Sequence, residues 1–136
     1  MKDKVVIITG ASSGIGQACA MKFAKEGAIV VLAARNIEKL NDIVDDIKIG
    51  KGQALAVQTD VSKEEDCQKL MDTTIEYFNQ IDVLINNAGI SMRSIFADTE
   101  IAVIKKLMDI NFWGTVHCTK IALPHLLKMQ GSVVGV

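Results

Sequence analysis

The sequence predicts an α/β fold, a doubly wound sheet of parallel strands, and three observations carry that prediction. Short apolar runs alternate with segments of helical periodicity along all 136 residues, which is the rhythm of βαβ units. The runs are continuously apolar rather than alternating, as strands covered on both faces must be. A glycine-rich turn, Thr9-Gly10-Ala11-Ser12-Ser13-Gly14-Ile15-Gly16, joins the first run to the first helical segment.

Residues 5–9 form the first strand. The helix predicted over 15–26 places Ile15, Cys19, Ala20, Phe23 and Ala24 on one face, and Gly27 ends it in a left-handed conformation. Residues 29–33 form the second strand. Asn36 caps a helix that carries Ile37, Leu40, Val44 and Ile47 at helical spacing. Gly50-Lys51-Gly52 turns the chain into a third strand, 54–58. Ser62-Lys63-Glu64-Glu65 reads as a capping box for a third helix. Its core face is Leu70, Thr74, Ile75 and Phe78, and Asn79 closes it. Residues 83–85 make a fourth strand. A long helix is expected from about residue 100 to about 128, kinked or shortened by Pro124. Residues 131–136 begin a fifth strand. Right-handed crossovers then set helices on both faces of the sheet. With no linker, low-complexity segment or further repeat, a single domain over 1–136 is expected.

Composition narrows the function classes. Apolar residues make up 49% and charged residues 23%, and the formal net charge is −1. No basic field is available to attract nucleic acid or an acidic membrane surface. The apolar run near the N-terminus is too short for a signal peptide, and none approaches the roughly 20 residues that span a bilayer. A cytoplasmic location follows as an expectation. Cys19, Cys67 and Cys118 are odd in number and lack C-x-x-C spacing, so they read as reduced core thiols and not as a disulfide framework or zinc site. His117 and His125 are not spaced for joint metal binding on one helical face, and no metal is expected.

The glycine turn has a mechanism in its strand–turn–helix context. Glycine permits the tight bend and lets backbone N–H groups approach a pyrophosphate, to which the helix N-terminus adds unpaired donors and partial positive charge. Three residues separate Gly10 from Gly14 and Ile15 follows, so this is not a P-loop.

T-G-x-x-x-G-x-G resembles the glycine motif of the short-chain dehydrogenase/reductase family. Asp60-Val61 after the third strand, Asn86-Asn87-Ala88-Gly89 after the fourth, and Asn111 within Asp109-Ile110-Asn111-Phe112-Trp113-Gly114 match further motifs of that family in the right order. The resemblance implies a Rossmann-type doubly wound sheet, here truncated after about five strands. It implies that Gly10, Gly14 and Gly16 cradle dinucleotide phosphates beside Ile15, and that Ser12 and Ser13 supply hydroxyls and N–H groups there. Asp60 would bond the adenine amino group with Val61 beside the ring. Asn86, Asn87, Ala88 and Gly89 would line the nicotinamide-side ribose. Asn111 would hold a water of the proton relay.

The end of the second strand bears on cofactor choice. An acid there would bond the 2′-OH of NAD and repel a 2′-phosphate. Here Ala34 stands at that place and Arg35 follows, a planar fork matched to phosphate oxygens. NADP(H) is therefore the expected cofactor, and a small carbonyl or alcohol compound the expected substrate class.

The family's catalytic serine and Tyr-x-x-x-Lys are absent. Ser132 lies at a strand entrance, and the only tyrosine, Tyr77, is followed four positions on by Ile81. The resemblance thus implies an oxidoreductase whose C-terminal catalytic portion lies outside these 136 residues. The chain alone is expected to bind dinucleotide without turnover. A non-catalytic NADP(H)-binding module is the competing reading. A methyltransferase is a third, disfavoured because such enzymes usually carry an acid after the second strand. The loop 90–98, with Ser91, Met92, Arg93 and Phe96, is expected to border the substrate pocket. The last strand would be an apolar edge. Ile104, Leu107, Ile110, Val116, Ile121, Leu123, Leu126 and Leu127 are too many for five strands to bury. Homo-oligomerisation is therefore expected.

Overall fold

A computed structural model describes residues 1–136. Five parallel strands, β1 (Val5–Thr9), β2 (Ile29–Ala34), β3 (Gln53–Gln58), β4 (Val83–Asn86) and β5 (Ser132–Gly135), lie in the order β3-β2-β1-β4-β5. The expected doubly wound sheet is thus present. The order reverses direction beside β1, which opens a crevice at the carboxyl ends of β1 and β4. The helices are α1 (Gly14–Lys25), α2 (Ile37–Ile49), α3 (Glu64–Phe78), α4 (Ile101–Met108) and α5 (Gly114–Met129).

Two apolar layers flank the sheet because side chains alternate along each strand. Val6, Ile8, Val30 and Leu32 face α1 and α2, burying Ala20, Leu40 and Ile47. Val5, Ile7, Val31 and Leu84 face α3 and α5, burying Leu70, Met71, Cys118 and Leu126. Every residue of β1 is buried, which explains its unbroken apolar run.

Several local expectations hold. Gly27 adopts φ +83° after α1, and Asn79 adopts φ +55° at the end of α3. The Asn36 side chain accepts from Lys39 N at 3.0 Å and caps α2.

Others are corrected. The inward face of α1 is Gly16, Ala20 and Ala24, all small, while Ile15 is 61% exposed. Ile15 lies about 100° around the helix from Gly16, so close docking of the small residues turns it outward. Ser62 does not cap α3. Its hydroxyl donates to Asp60 Oδ1 at 2.7 Å, and Asp66 Oδ2 instead accepts from Asp60 N at 2.8 Å. The carboxylate beside Ser62 competes for its hydroxyl within the turn. The single long helix is interrupted by a π-helical turn, Asp109–Trp113, whose wider ring closes with Gly114 N on Asp109 O. Pro124 neither ends nor shortens the helix, and α5 continues past it to Met129.

β5 forms one edge of the sheet, with Val133 and Val134 nearly half exposed. Leu123 and Leu127 are exposed on α5, whereas Ile110 and Leu126 are buried. No helix is long and apolar enough to cross a membrane.

Candidate functional site

A cleft of about 710 Å³ opens at the carboxyl ends of β1, β2 and β3. Its floor is the glycine turn, where Gly10, Ser12 and Ser13 line it. The turn depends on glycine for two different reasons. Gly10 has φ +65°, and a Cβ there would stand 2.8 Å from Ala88 Cα. A Cβ on Gly16 would stand 2.5 Å from Gly10 O and 2.6 Å from Asn87 Nδ2. The first contact brings the turn against the loop after β4; the second seats α1 on the turn. Gly14 has φ +56° with open space in front of it. Ser13 precedes α1 with its side chain making no cap, so the first N–H groups of α1 keep their donors. These features fit an anionic group approaching backbone amides. Gly14, Ile15 and Gly16 lie at the start of α1 and are not among the lining residues.

Thr9 braces this region. Buried at the end of β1, its hydroxyl donates to Ile85 O at 3.3 Å and accepts from Asn87 N and Ala88 N, each at 3.0 Å. Asn87 Nδ2 donates to Thr9 O at 2.9 Å and Gly10 O at 3.2 Å. Asn87 therefore ties β1 to β4, and the cleft wall is left to Ala88 and Gly89. Asn86 also points away from the cleft. It is buried and donates to Thr119 Oγ1 on α5 at 2.9 Å.

The outer wall comes from the ends of β2 and β3. Arg35 follows β2 directly, is exposed, and is the only cation lining the cleft. Gln58 Nε2 holds the Arg35 carbonyl at 3.0 Å. Asp60 and Val61 line the cleft beyond β3. Burial pushes the Asp60 carboxyl up, but hydrogen bonds from Ser62 and the charges of Arg35 and Lys63 outweigh it and hold it below the usual value. Asp60 therefore presents a carboxylate at neutral pH.

Asn111 sits in the π-helical turn. Its Oδ1 accepts from Ile90 N at 2.8 Å and its Nδ2 donates to Ile90 O at 2.8 Å. Ile90 lines the cleft, so this two-point clamp holds the loop after β4 to the helix. A side-chain amide still has one N–H and one lone pair in hand.

Gly10, Ser12, Ser13, Arg35, Asp60, Val61, Ala88 and Gly89 thus converge on one cleft, while Gly14, Ile15, Gly16, Asn86, Asn87 and Asn111 do not line it. Sequence reasoning missed Thr9, Gln58, Thr59 and Glu38. Thr9 was legible as the residue opening the glycine motif. Gln58 and Thr59 directly precede Asp60, but nothing in their spacing shows that they reach across to β2. Met92 and Phe96 are exposed on the loop and do not line the cleft.

The short chain dehydrogenase family profile matches residues 4–136. The chain belongs to that family. It is 45% identical over 135 residues to the 11-beta-hydroxysteroid dehydrogenase-like 3 of Arabidopsis thaliana, covering 98% of this chain and 44% of that protein. It is 44% identical to the 11-beta-hydroxysteroid dehydrogenase A of Arachis hypogaea, covering 96% of this chain and 38% of that one. This short-chain dehydrogenase chain therefore spans less than half the length of these curated relatives. Among solved structures, the alcohol dehydrogenase of the archaeon Thermococcus sibiricus complexed with 5-hydroxy-NADP superposes with a TM-score of 0.95 at 27% identity, covering 98% of this chain and 57% of that one. A 7 alpha-hydroxysteroid dehydrogenase complexed with NADH and 7-oxo glycochenodeoxycholic acid gives 0.95 at 32% identity, covering 99% and 53%.

Proposed function

We propose that this chain is the dinucleotide-binding portion of an NADP(H)-dependent oxidoreductase that moves a hydride between the nicotinamide and a carbonyl or alcohol carbon. The observation that carries the cofactor choice is Arg35, the sole cation lining a cleft that also holds Glu38 and Asp60, placed directly after a β2 that ends in Ala34 in place of an acid. A guanidinium there is matched to a 2′-phosphate. The glycine turn and the first amides of α1 bind the pyrophosphate. Asp60, held ionised, accepts from the adenine amino group, with Val61 against the ring. Ala88 and Gly89 border the nicotinamide-side ribose, and Asn86 and Asn87 hold their loop in place.

When bound, the nicotinamide supplies or accepts the hydride. The chain's own part in proton transfer falls to Asn111, whose free amide capacity can hold a water while it clamps Ile90. Self-association of this chain is proposed on the exposed apolar residues of the π-helical turn and α5 and the open β5 edge.

The test is fluorescence titration with both reduced cofactors. NADPH should bind at least tenfold more tightly than NADH, and Arg35→Ala should weaken NADPH by about 10–100-fold, the worth of a charge-assisted hydrogen bond or two, while leaving NADH within about threefold. Equal or tighter NADH binding by the unaltered protein overturns the cofactor assignment.

A further inference from the structure

Cys67 and Cys118 are 51 positions apart, yet their sulfurs stand 3.5 Å apart in the layer between α3 and α5. Both are fully buried and neither belongs to the cleft wall. Their meeting has a structural cause one turn earlier on α5. Gly114 has no side chain, and a Cβ there would stand 2.7 Å from Val61 Cγ2. The helix therefore comes down onto the Val61 loop, and Cys118, four residues on, reaches Cys67.

The thiols form a directed chain. Cys118 Sγ–H donates to Cys67 Sγ, and Cys67 Sγ–H donates to Val61 O, each at 3.5 Å. The bond from Cys118 lowers the Cys67 thiol, against burial and the charges of Asp66, Asp60 and Glu64, and raises that of Cys118. Cys67 lies one turn into α3, behind Glu64, Glu65 and Asp66 of its first turn. Cys67, the sulfur that accepts this bond, is set up to attack, and Cys118, 3.5 Å away, to resolve. Cys19, on α1 and on the other side of the sheet, has no part in this pair.

We infer that Cys67 and Cys118 form a redox pair which a peroxide converts into an intramolecular disulfide stapling α3 to α5. The Cys67 thiolate attacks the peroxide O–O bond, taking up one oxygen as a sulfenic acid and releasing water once that leaving oxygen is protonated. The Cys118 sulfur then attacks the Cys67 sulfur, the S–O bond breaks, and a second water leaves with the Cys118 proton. Two thiols and one hydrogen peroxide give one disulfide and two waters. The sulfurs must close from 3.5 Å to about 2.05 Å, through rotamer and helix shifts. Because both sulfurs are buried, the reaction proceeds through opening of the α3–α5 contact and is slower than that of an exposed thiol.

The test is exposure of the complete native protein to hydrogen peroxide, followed by alkylation under denaturing conditions and non-reducing peptide mapping. The expected product has lost two hydrogens, joins the Cys67 and Cys118 peptides, and reverts with dithiothreitol. Its thermal midpoint rises on the order of 10 °C, since the bond closes a long loop. Cys19→Ser retains the product, whereas Cys67→Ser and Cys118→Ser each abolish it. The mapping of the unaltered protein decides the matter even if a variant fails to fold. Oxidation confined to Cys19, linkage of Cys19 to either partner, both thiols still free after prolonged treatment, or a lowered midpoint overturns the inference.

Discussion

Replacing Thr9 by valine removes one hydroxyl and keeps the side chain's shape, so its cost can be worked from the bonds that hydroxyl makes. Thr9 is 1% exposed, and its oxygen accepts from Asn87 N and Ala88 N and donates to Ile85 O. Thr9→Val leaves two amides without an acceptor and one carbonyl without this donor. A stranded buried donor costs about 1–3 kcal/mol. Asn87 and Ala88 are only half-buried, so water recovers part of that loss. The net destabilisation is about 2–4 kcal/mol. Thr9→Ser keeps the oxygen and loses a methyl, at about 1 kcal/mol. Urea unfolding followed by far-ultraviolet circular dichroism separates the two. With m about 1–3 kcal/mol/M for a small protein, the valine midpoint falls on the order of 1 M or more, at unchanged slope, and the serine midpoint by less. A valine variant within about 0.5 kcal/mol of the original protein, or a serine variant less stable than valine, would refute the bracing role of the hydroxyl.

Two further predictions test other parts of the framework. Gly114→Ala should destabilise by up to about 2 kcal/mol: alanine gains about 1 kcal/mol in helix propensity, but its Cβ would stand 2.7 Å from Val61 Cγ2 and 2.9 Å from Val61 Cβ, and overpacking costs about 1–3 kcal/mol. A higher thermal midpoint for the alanine variant would show that the α5–Val61 contact is loose. Asp82 is 3% exposed, and burial pushes its carboxyl up, but Lys4 Nζ at 2.8 Å, Val5 N at 2.9 Å and Gln80 Nε2 at 2.8 Å together hold it below its ordinary value of 3.8. A carboxyl lowered on folding contributes stability that is complete above its unfolded value and lost as pH falls through the folded one. The stability advantage over Asp82→Asn should therefore be constant from neutral pH to about 5 and shrink below about 4. An advantage that grows on acidification contradicts the sign.

Much of the site was legible because its residue types are tied to local geometry. Gly10 and Gly14 need positive φ, Asn36 needs only its own helix start, and Asn79 tolerates the left-handed turn that ends α3. The sequence neighbours of Asp60 and Arg35 likewise identify strand ends. Errors arose where a local rule met a competing partner. Ser62 has the spacing of a cap, but Asp60 takes its hydroxyl. Ile15 has the hydropathy of a core residue, but Gly16, Ala20 and Ala24 allow α1 a closer seat. The π-helical turn carries no periodic signature over five residues, and Asn111 meets Ile90 there across 21 positions.

By itself the sequence determined the strand–helix alternation, the parallel sheet, the glycine turn and the family, because hydropathy period and backbone permissiveness are properties of neighbouring residues. Only the tertiary structure decided which of the motif residues face the cleft and which brace it. Asn86 turns to Thr119, Asn87 to Thr9 and Gly10, and Gln58 to Arg35. It also decided that two cysteines on different helices touch. Those facts depend on how closely packed elements approach, and that distance is set by side chains far apart along the chain.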